Sequence, residues 1–170
     1  MEEALQVLNE MKRAGVIQEY AIGGGMALVF YTEPVLTYDL DVFVLLQAGD
    51  ASAISMTPIY SYLAAKGHAP EGEHVVIGDM PVQLLPAYNA LVDEAVQQAR
   101  AIRFGETDTR VVRAEHLAAI MVQTYRPKDR ERLALLLAEA EMDTGFLQGV
   151  LTRYGLVSRW EDYQRRSHDG

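Results

Sequence analysis

The sequence predicts an α/β (α+β) protein in which a mixed β-sheet is flanked by helices and the C-terminal third is helical. Up to about residue 113, short apolar segments bounded by Gly, Pro and Asp alternate with segments of helical periodicity. From Ala114 onward only helical spacing remains. No repeat or Pro/Gly/Ser linker separates the two parts. We therefore expect an α/β core at 1–113 and a helical region at 114–170 packed on it as one domain.

The elements before residue 70 are predicted from periodicity and from glycine and proline positions. Residues 3–15 form one amphipathic helix, because Leu5, Leu8 and Met11 share a face. A short strand then runs into three glycines, and Pro34 ends the helix that follows them. The predicted spans are a strand at 20–22, a helix at 26–31, a strand at 35–46, a loop at 49–52 and a helix at 54–66.

The later elements are two hairpins followed by helices. Glycine-containing turns join a strand at 74–77 to one at 82–85, and a strand at 101–104 to one at 109–112. A helix at 88–98 separates the hairpins. After Ala114, apolar residues recur at helical spacing near 117–124, 133–140 and 146–151. These aliphatic stripes predict helices that pack on the core.

Composition excludes several classes of protein. The 170 residues carry 15 Lys and Arg against 24 Asp and Glu, a net charge of −9, which argues against an extended surface for duplex nucleic acid. With no cysteine, disulfides, thiolate metal sites and a Cys nucleophile are excluded. No apolar run approaches the roughly 20 residues that cross a bilayer. Without a signal-peptide pattern at the start, we expect a cytoplasmic protein with no membrane partner.

One pattern points to chemistry: three glycines, Gly23 to Gly25, followed after thirteen residues by Asp39-Leu40-Asp41-Val42. Glycines before a helix allow the backbone N–H groups to approach a ligand closely, and a helix N-terminus favours phosphate. Alternate residues of a strand leave the same face roughly 6–7 Å apart, so the two carboxylates repel each other unless a cation lies between them. Oxygen ligands of this kind suit Mg²⁺ together with substrate phosphates. Each feature alone is also typical of a tight turn or a solvated strand edge.

The three glycines followed by the Asp-Leu-Asp-Val segment resemble the motif of the nucleotidyltransferase superfamily, whose members have the DNA polymerase beta-like fold. The similarity is greatest to small prokaryotic members related to abortive-infection toxins. Ile22 before the glycines, Ala27 soon after them and Thr37 two residues before the first Asp fit this pattern, and the segment 126–132 resembles the Arg/Lys-Asp segment of these relatives. The resemblance spans roughly residues 15–140.

The resemblance implies a nucleotidyltransferase-like sheet and transfer of an NMP from an NTP to a hydroxyl of a protein, RNA or small molecule. Asp39 and Asp41 would be the catalytic carboxylates and would bind Mg²⁺. The nucleotide-binding residues that it implies are Gly24, Gly25, Thr37, Lys128 and Arg132. For Lys128 the competing interpretation is a solvated charged turn after Pro127, since Lys128 and Asp129 each stand at helical pair spacing from Arg132.

The chain departs from the family's pattern where a third carboxylate is expected. Gln83 holds that position on the strand at 82–85. Its amide carbonyl can bind a cation but cannot act as a base, and Asp79 nearby falls in the predicted turn. The alternative is therefore a catalytically degenerate relative that binds a nucleotide or a partner, including a toxin–antitoxin component. A second departure is Val35, where toxin-like members often carry Arg.

Other interpretations are less well supported by the residues. A dinucleotide-binding motif would need a third glycine that Leu28 replaces, and no P-loop or nucleophile elbow occurs. The four histidines lack metal-ligand spacing, and His74 and His116 are expected to be structural or exposed. Trp160 and Tyr163 are expected to pack against the preceding helices, with a surface for a homodimer or a protein partner as the alternative.

Overall fold

The computed structural model describes residues 1–47 and 54–168. The strands in this part of the chain are β1 (Ile17–Ile22), β2 (Leu40–Leu46), β3 (Pro70–Glu71), β4 (His74–Ile77), β5 (Met80–Pro86), β6 (Arg100–Phe104) and β7 (Thr107–Val111). The helices are α1 (Glu2–Arg13), α2 (Gly24–Leu28), α3 (Thr57–Ala65), α4 (Ala90–Gln97), α5 (Ala114–Thr124), α6 (Pro127–Glu139), α7 (Thr144–Arg153) and α8 (Val157–His168). The predicted loop at 49–52 lies outside the described residues.

The described strands form one mixed sheet in the order β3-β4-β5-β2-β1-β7-β6. This arrangement confirms the predicted α/β fold class, and both predicted hairpins are present as β4–β5 and β6–β7. Strand β2 lies at the centre, antiparallel to β1 and parallel to β5. The parallel register sets Asp41 beside Gln83, and the antiparallel register sets Val42 beside Ile22.

The prediction of a strand from residue 35 is wrong, because β2 begins only at Leu40. The antiparallel ladder with β1 begins at Val42, since β1 ends at Ile22 where the glycine turn starts. Residues before Leu40 therefore have no strand beside them on that side. Instead, the Thr37 hydroxyl donates to the Asp39 carbonyl at 3.3 Å, and Leu36 and Tyr38 are exposed. Asp39 thus precedes the strand, whereas Asp41 lies within it.

Buried side chains from the sheet and from the helices form one apolar cluster. Helix α1 packs on β1 and β7, α4 packs on β1 and β2, and α5 contacts α4, α6, α7 and α8. Tyr163 of α8 is buried and stacks on Trp160 with ring centroids 5.9 Å apart. Helix α5 thus contacts each of the last three helices, and α6 also packs on α2.

Within the described ranges, none of the helices combines the length and the apolar character that crossing a membrane requires.

Candidate functional site

The glycine turn and β2 meet at Gly24 and Asp41. The Gly23 N–H donates to the Asp41 carbonyl at 2.9 Å, which fixes the start of α2 against the strand. Gly24 has φ +55°, and a Cβ there would lie 1.9 Å from Asp41 Oδ2. No side chain fits this gap, so glycine is required for both the backbone angle and the close approach.

One oxygen of the Asp41 carboxylate is buried without a hydrogen-bond partner, while the residue as a whole is partly buried. Its Oδ1 accepts no hydrogen bond from any residue that the structure describes. Burial, followed by the nearby charge of Asp39, raises the pKa of Asp41 above its usual range, while Arg132, Lys128 and Arg126 act in the opposite direction. Buried polar atoms of folded proteins are rarely left unpaired. This oxygen therefore has the environment of a cation ligand.

Arg132 of α6 extends to the glycine turn from the opposite side. A Cβ on Gly25 would lie 2.6 Å from Arg132 Nη2 and 3.2 Å from Thr37 Oγ1. The structure therefore brings Gly24, Gly25, Thr37, Asp41 and Arg132 together, although the first and last of them are more than 100 residues apart in sequence. A guanidinium beside backbone N–H groups suits the binding of phosphate oxygens.

Asp39 and Gln83 border Asp41 on two sides. Asp39 is half-exposed, and its Oδ2 lies 3.4 Å from His74 Nε2. Gln83 is the registered neighbour of Asp41 on β5, so the amide occupies the position where the third carboxylate was expected. Asp79 is in the β4–β5 turn next to Gly78, which faces Glu3 of α1, and it does not substitute for that carboxylate.

The start of α6 adds basic groups. The charges of Lys128 and Arg126 both act on Asp41, and both side chains are exposed. Pairing of Asp129 with Arg132 was one predicted alternative, and it is wrong. Asp129 is buried and accepts hydrogen bonds from Arg126 Nε at 2.7 Å and from Thr124 Oγ1 at 2.8 Å. Asp129 Oδ2 also accepts from the Arg126 backbone N–H at 3.1 Å, which caps the first turn of α6, and Arg132 is left directed at the glycines.

These groups contribute to a cleft of about 390 Å³ between the sheet and helices α5 and α6. Its polar lining comes from Gly24, Asp41, Thr124, Arg126, Asp129 and Arg132. Its apolar lining comes from Phe43, Leu85, Tyr88, Leu117, Ile120 and Met121. The cleft thus combines charged groups, suited to phosphate, with apolar groups, suited to a ring or an aliphatic group.

The donors present fit a hard cation such as Mg²⁺, with the rest of its coordination shell supplied from outside the protein. Among the described residues no group of three His, Cys, Asp or Glu side chains is arranged to hold a metal. Asp39, Asp41 and the amide oxygen of Gln83 are the candidate ligands. Mg²⁺ typically takes one or two carboxylates and completes its shell with water and substrate phosphates.

Several residues of the site were not singled out from the sequence. Phe43 and Leu85 follow Asp41 and Gln83 two residues later on the same strand face, so alternation alone would have placed them in the cleft. Arg126 stood within the motif but carried no predicted role. Tyr88 gave no signal, since it lies after β5 and its ring meets Phe43 edge-on at 6.3 Å only in the folded chain.

Two solved structures resemble this fold over nearly the whole chain. One is an antigenic nucleotidyltransferase-like protein from Paracoccidioides brasiliensis, with a TM-score of 0.58 and 13% identity, covering 96% of this chain and 91% of that one. The other is ANT(2")-Ia in complex with adenylyl-2"-tobramycin, with a TM-score of 0.54 and 16% identity, covering 92% and 98%.

The sequence itself matches none of the protein-family models and none of the curated proteins with which it was compared. The likeness therefore lies in the backbone, and it extends over almost the full length of both neighbours. The seven-stranded sheet, its order and these two structural matches together show that the chain has the nucleotidyltransferase fold.

Proposed function

We propose that this protein binds a nucleoside triphosphate with Mg²⁺ in the cleft and transfers the nucleoside monophosphate to a hydroxyl acceptor. One observation carries the proposal: the buried Oδ1 of Asp41 has no hydrogen-bond partner among the described residues, and the same carboxylate lies against Gly24 through Oδ2 in the lining of the cleft. A buried carboxylate whose pKa is raised destabilises the folded protein when it is charged, unless a ligand such as a cation binds it.

The side chains around Asp41 would bind different parts of a nucleotide and its Mg²⁺ ion. Arg132, helped by Lys128 and Arg126, would pair with triphosphate oxygens, and the glycine turn lets those oxygens approach the backbone closely. Thr37 lies beside Arg132 and Gly25, where its hydroxyl can hold a phosphate oxygen. Asp39 and Asp41 would hold Mg²⁺, with Gln83 as a neutral third ligand.

In the proposed reaction the acceptor hydroxyl oxygen forms a bond to the α-phosphorus, the bond from that phosphorus to pyrophosphate breaks, and the hydroxyl proton ends on the released pyrophosphate. Bound Mg²⁺ would supply neutralisation of the phosphate charge. Arg132 and Lys128 would stabilise the charge that gathers on the leaving pyrophosphate. The apolar lining of the cleft would limit the access of bulk water to the reacting groups.

Gln83 supports a second candidate function, a non-catalytic nucleotide-binding protein. An amide cannot accept the hydroxyl proton, nor does it balance the charge of a metal ion. Since Gln83 is the registered neighbour of Asp41, the substitution falls within the site itself. This candidate keeps the binding roles of Asp41, Gly24 and Arg132 and omits group transfer.

The acceptor stays open among a protein, an RNA and a small molecule. ANT(2")-Ia was solved with adenylyl-2"-tobramycin, a nucleotidyl group joined to an acceptor, which supports transfer to a hydroxyl here. The toxin–antitoxin role, a homodimer or protein partner, and the cytoplasmic location remain predictions from the sequence.

Binding is tested by isothermal titration of Mg²⁺ with ATP and with each other NTP. We expect saturable binding by the wild type and loss of Mg²⁺-dependent binding in the Asp39→Asn/Asp41→Asn double variant. A matched control, Glu106→Gln/Asp108→Asn, removes two carboxylates that are 94% and 90% exposed in the β6–β7 hairpin. Equal binding by the wild type and the site variant, or none by the wild type, would reject the proposal.

Transfer is tested by incubating the protein with an α-labelled NTP and a cell lysate. Label that becomes attached to an acceptor with the wild type, and not with Asp41→Asn, establishes catalysis and rejects the non-catalytic candidate. If the wild type only binds nucleotide, Gln83→Asp is the informative variant, since it restores the third carboxylate. Gain of transfer in Gln83→Asp would show that the amide alone disables the site.

A further inference from the structure

A row of side chains crosses three strands beside the proposed metal site. Val75 of β4 is registered with Val82 of β5, and Asp41 of β2 with Gln83 of β5. One residue further along the hairpin, the register sets His74 opposite Gln83. His74, Gln83 and Asp41 therefore share one sheet face, and their buried neighbours Val75 and Val82 share the other.

His74 contacts the one site carboxylate that lies outside this row. Its Nε2 is 3.4 Å from Asp39 Oδ2, and the two side chains are 31% and 39% exposed. Asp39 belongs to the irregular segment before β2, where no neighbouring strand fixes it. Among the described side chains, the imidazole is the one hydrogen-bonding partner of the Asp39 carboxylate.

The missing charge at Gln83 gives this contact its importance. With an amide in the third position, only Asp39 and Asp41 can supply negative charge to a cation, so the orientation of each carboxylate matters more than in a three-carboxylate site. With a proton on Nε2, the imidazole donates to one oxygen of Asp39 and leaves the other oxygen available to a cation. Carboxylates that ligate metals are commonly oriented by such hydrogen bonds.

We propose that His74 is a positioning residue, which holds the Asp39 carboxylate in the orientation that binds Mg²⁺ together with the nucleotide. The inference rests on the proposed nucleotide binding and assigns to His74 no contact with substrate. It adds β4, an outer strand of the sheet, to the elements that build the site.

The test separates the binding of metal from the binding of nucleotide. The affinity for a non-hydrolysable ATP analogue is measured by titration in EDTA and again with saturating Mg²⁺, and the ratio of the two affinities is the metal effect. In His74→Ala we expect this ratio to fall about tenfold, the lower end of what loss of such a partner costs. Affinity in EDTA stays at the wild-type value, because the glycine turn and Arg132 are untouched.

Two variants control the experiment. His74→Gln keeps an N–H donor of similar reach, so we expect it to retain most of the metal effect, which a purely structural role of the ring would not predict. His68→Ala removes a histidine near Glu10, on the α1 side of the molecule, and should behave as wild type. Far-UV circular dichroism confirms that each variant is folded.

The outcomes distinguish the inference from the function on which it rests. A wild type that binds no analogue in either condition overturns both. A wild type with a metal effect that His74→Ala preserves or increases overturns the positioning role alone. Equal loss of affinity with and without Mg²⁺ in His74→Ala also overturns it, because the histidine would then act on the nucleotide or on the fold.

Discussion

At the residue scale, Asp41 combines a cost in stability with a role in binding. Burial raises its pKa, and Asp39 adds to the shift, so the folded chain favours the protonated form more than the unfolded chain does. An acid whose pKa is raised on folding destabilises the protein at any pH above that folded value. The cost disappears as the pH falls below the usual value of 3.8.

Asp41→Asn should therefore stabilise the protein and abolish Mg²⁺-dependent nucleotide binding. We expect a gain in the free energy of unfolding at pH 7, because asparagine occupies the same space without a buried charge. Thermal unfolding at pH 7 and near pH 4 checks the sign, since the gain should shrink at the lower pH. A variant less stable than wild type at pH 7 would show that Asp41 is stabilised by a partner in solution.

Gly24→Ala tests the close approach of the glycine turn. Gly15 is a matched control, since its φ of +73° is also positive but a Cβ there meets nothing within 4 Å. Each alanine should cost roughly 1 kcal/mol in backbone strain. Only Gly24→Ala also displaces Asp41, so we expect at least a tenfold loss of nucleotide affinity, about 1.4 kcal/mol, in that variant alone. Titration of both variants with nucleotide measures these affinities. Equal affinities of Gly24→Ala and Gly15→Ala would contradict the close contact between Gly24 and Asp41.

At the element scale, the first turn of α6 determines where the basic groups lie. Arg126 is the residue before the helix, and its backbone N–H donates to Asp129 Oδ2 at 3.1 Å. Burial opposes ionisation of Asp129, but the hydrogen bonds from Arg126 and Thr124 outweigh it and lower the pKa of this carboxyl. Asp129 therefore stabilises the folded chain above its unfolded pKa, and this contribution is lost as the pH falls through the folded value.

Asp129→Ala should weaken both the helix and nucleotide binding. Loss of the charged hydrogen bonds should cost about 2 kcal/mol, and a displaced α6 moves Arg132 away from Gly25. Asp143→Ala is the control, because Asp143 caps α7 by accepting from the Phe146 N–H at 2.9 Å and does not line the cleft. It should lose about 1 kcal/mol with unchanged nucleotide affinity. Equal nucleotide affinities of Asp129→Ala and Asp143→Ala would show that the α6 cap does not affect the site.

At the scale of the whole molecule, Glu94 of α4 joins the helical region to the core. Its carboxylate contacts His116 Nε2 of α5 at 3.1 Å and accepts from Arg153 of α7 at 2.7 Å, and Tyr154 donates to it as well. Burial acts against its charge, but these hydrogen bonds outweigh it and lower the pKa of Glu94 to about 2. His116, predicted to be structural or exposed, is fully buried, and burial lowers its pKa.

Both groups bind more protons in the unfolded chain, so stability should fall with pH in two windows. The first begins below the usual value of 6.5 for His116, and the second lies between 4.5 and about 2 for Glu94. Glu94→Gln should remove most of the second window and lower Tm at pH 7 by roughly 4–8 °C, for a loss of about 2 kcal/mol. Thermal unfolding scans from pH 7 to pH 3 measure both effects. If stability falls below pH 4.5 as steeply in Glu94→Gln as in the wild type, Glu94 is not the group responsible for the second window.

The predicted division of the chain at residue 113 is tested by the same scans. Because the Glu94 cluster joins three helices across that boundary, we expect near-UV and far-UV signals to change in one transition. Two separate transitions would instead identify the helical region as an independent domain.

Much of the fold followed from local signals in the sequence. Periodicity gave the helices and both hairpins, and the spacing of Gly23 to Gly25 from Asp39 and Asp41 indicated the fold and the centre of the candidate site. The start of β2 was missed because alternation continues through 35–39, while pairing depends on where β1 ends. The position of His74 was missed because the predicted turn was too long. With a two-residue turn at Gly78-Asp79, Ile77 pairs with Met80, as observed, and the same register sets His74 opposite Gln83.

The sequence alone thus determined the fold class, the glycine turn, the two carboxylates and the amide at position 83, because these depend on residue type and on spacing within single elements. Only the tertiary structure decided that Arg132 reaches Gly25, that Oδ1 of Asp41 has no hydrogen-bond partner among the described residues and that His74 contacts Asp39. Each of these depends on the register between strands or on the packing of α6 against the turn. Such distances are set by the whole core, and no local stretch of sequence encodes them.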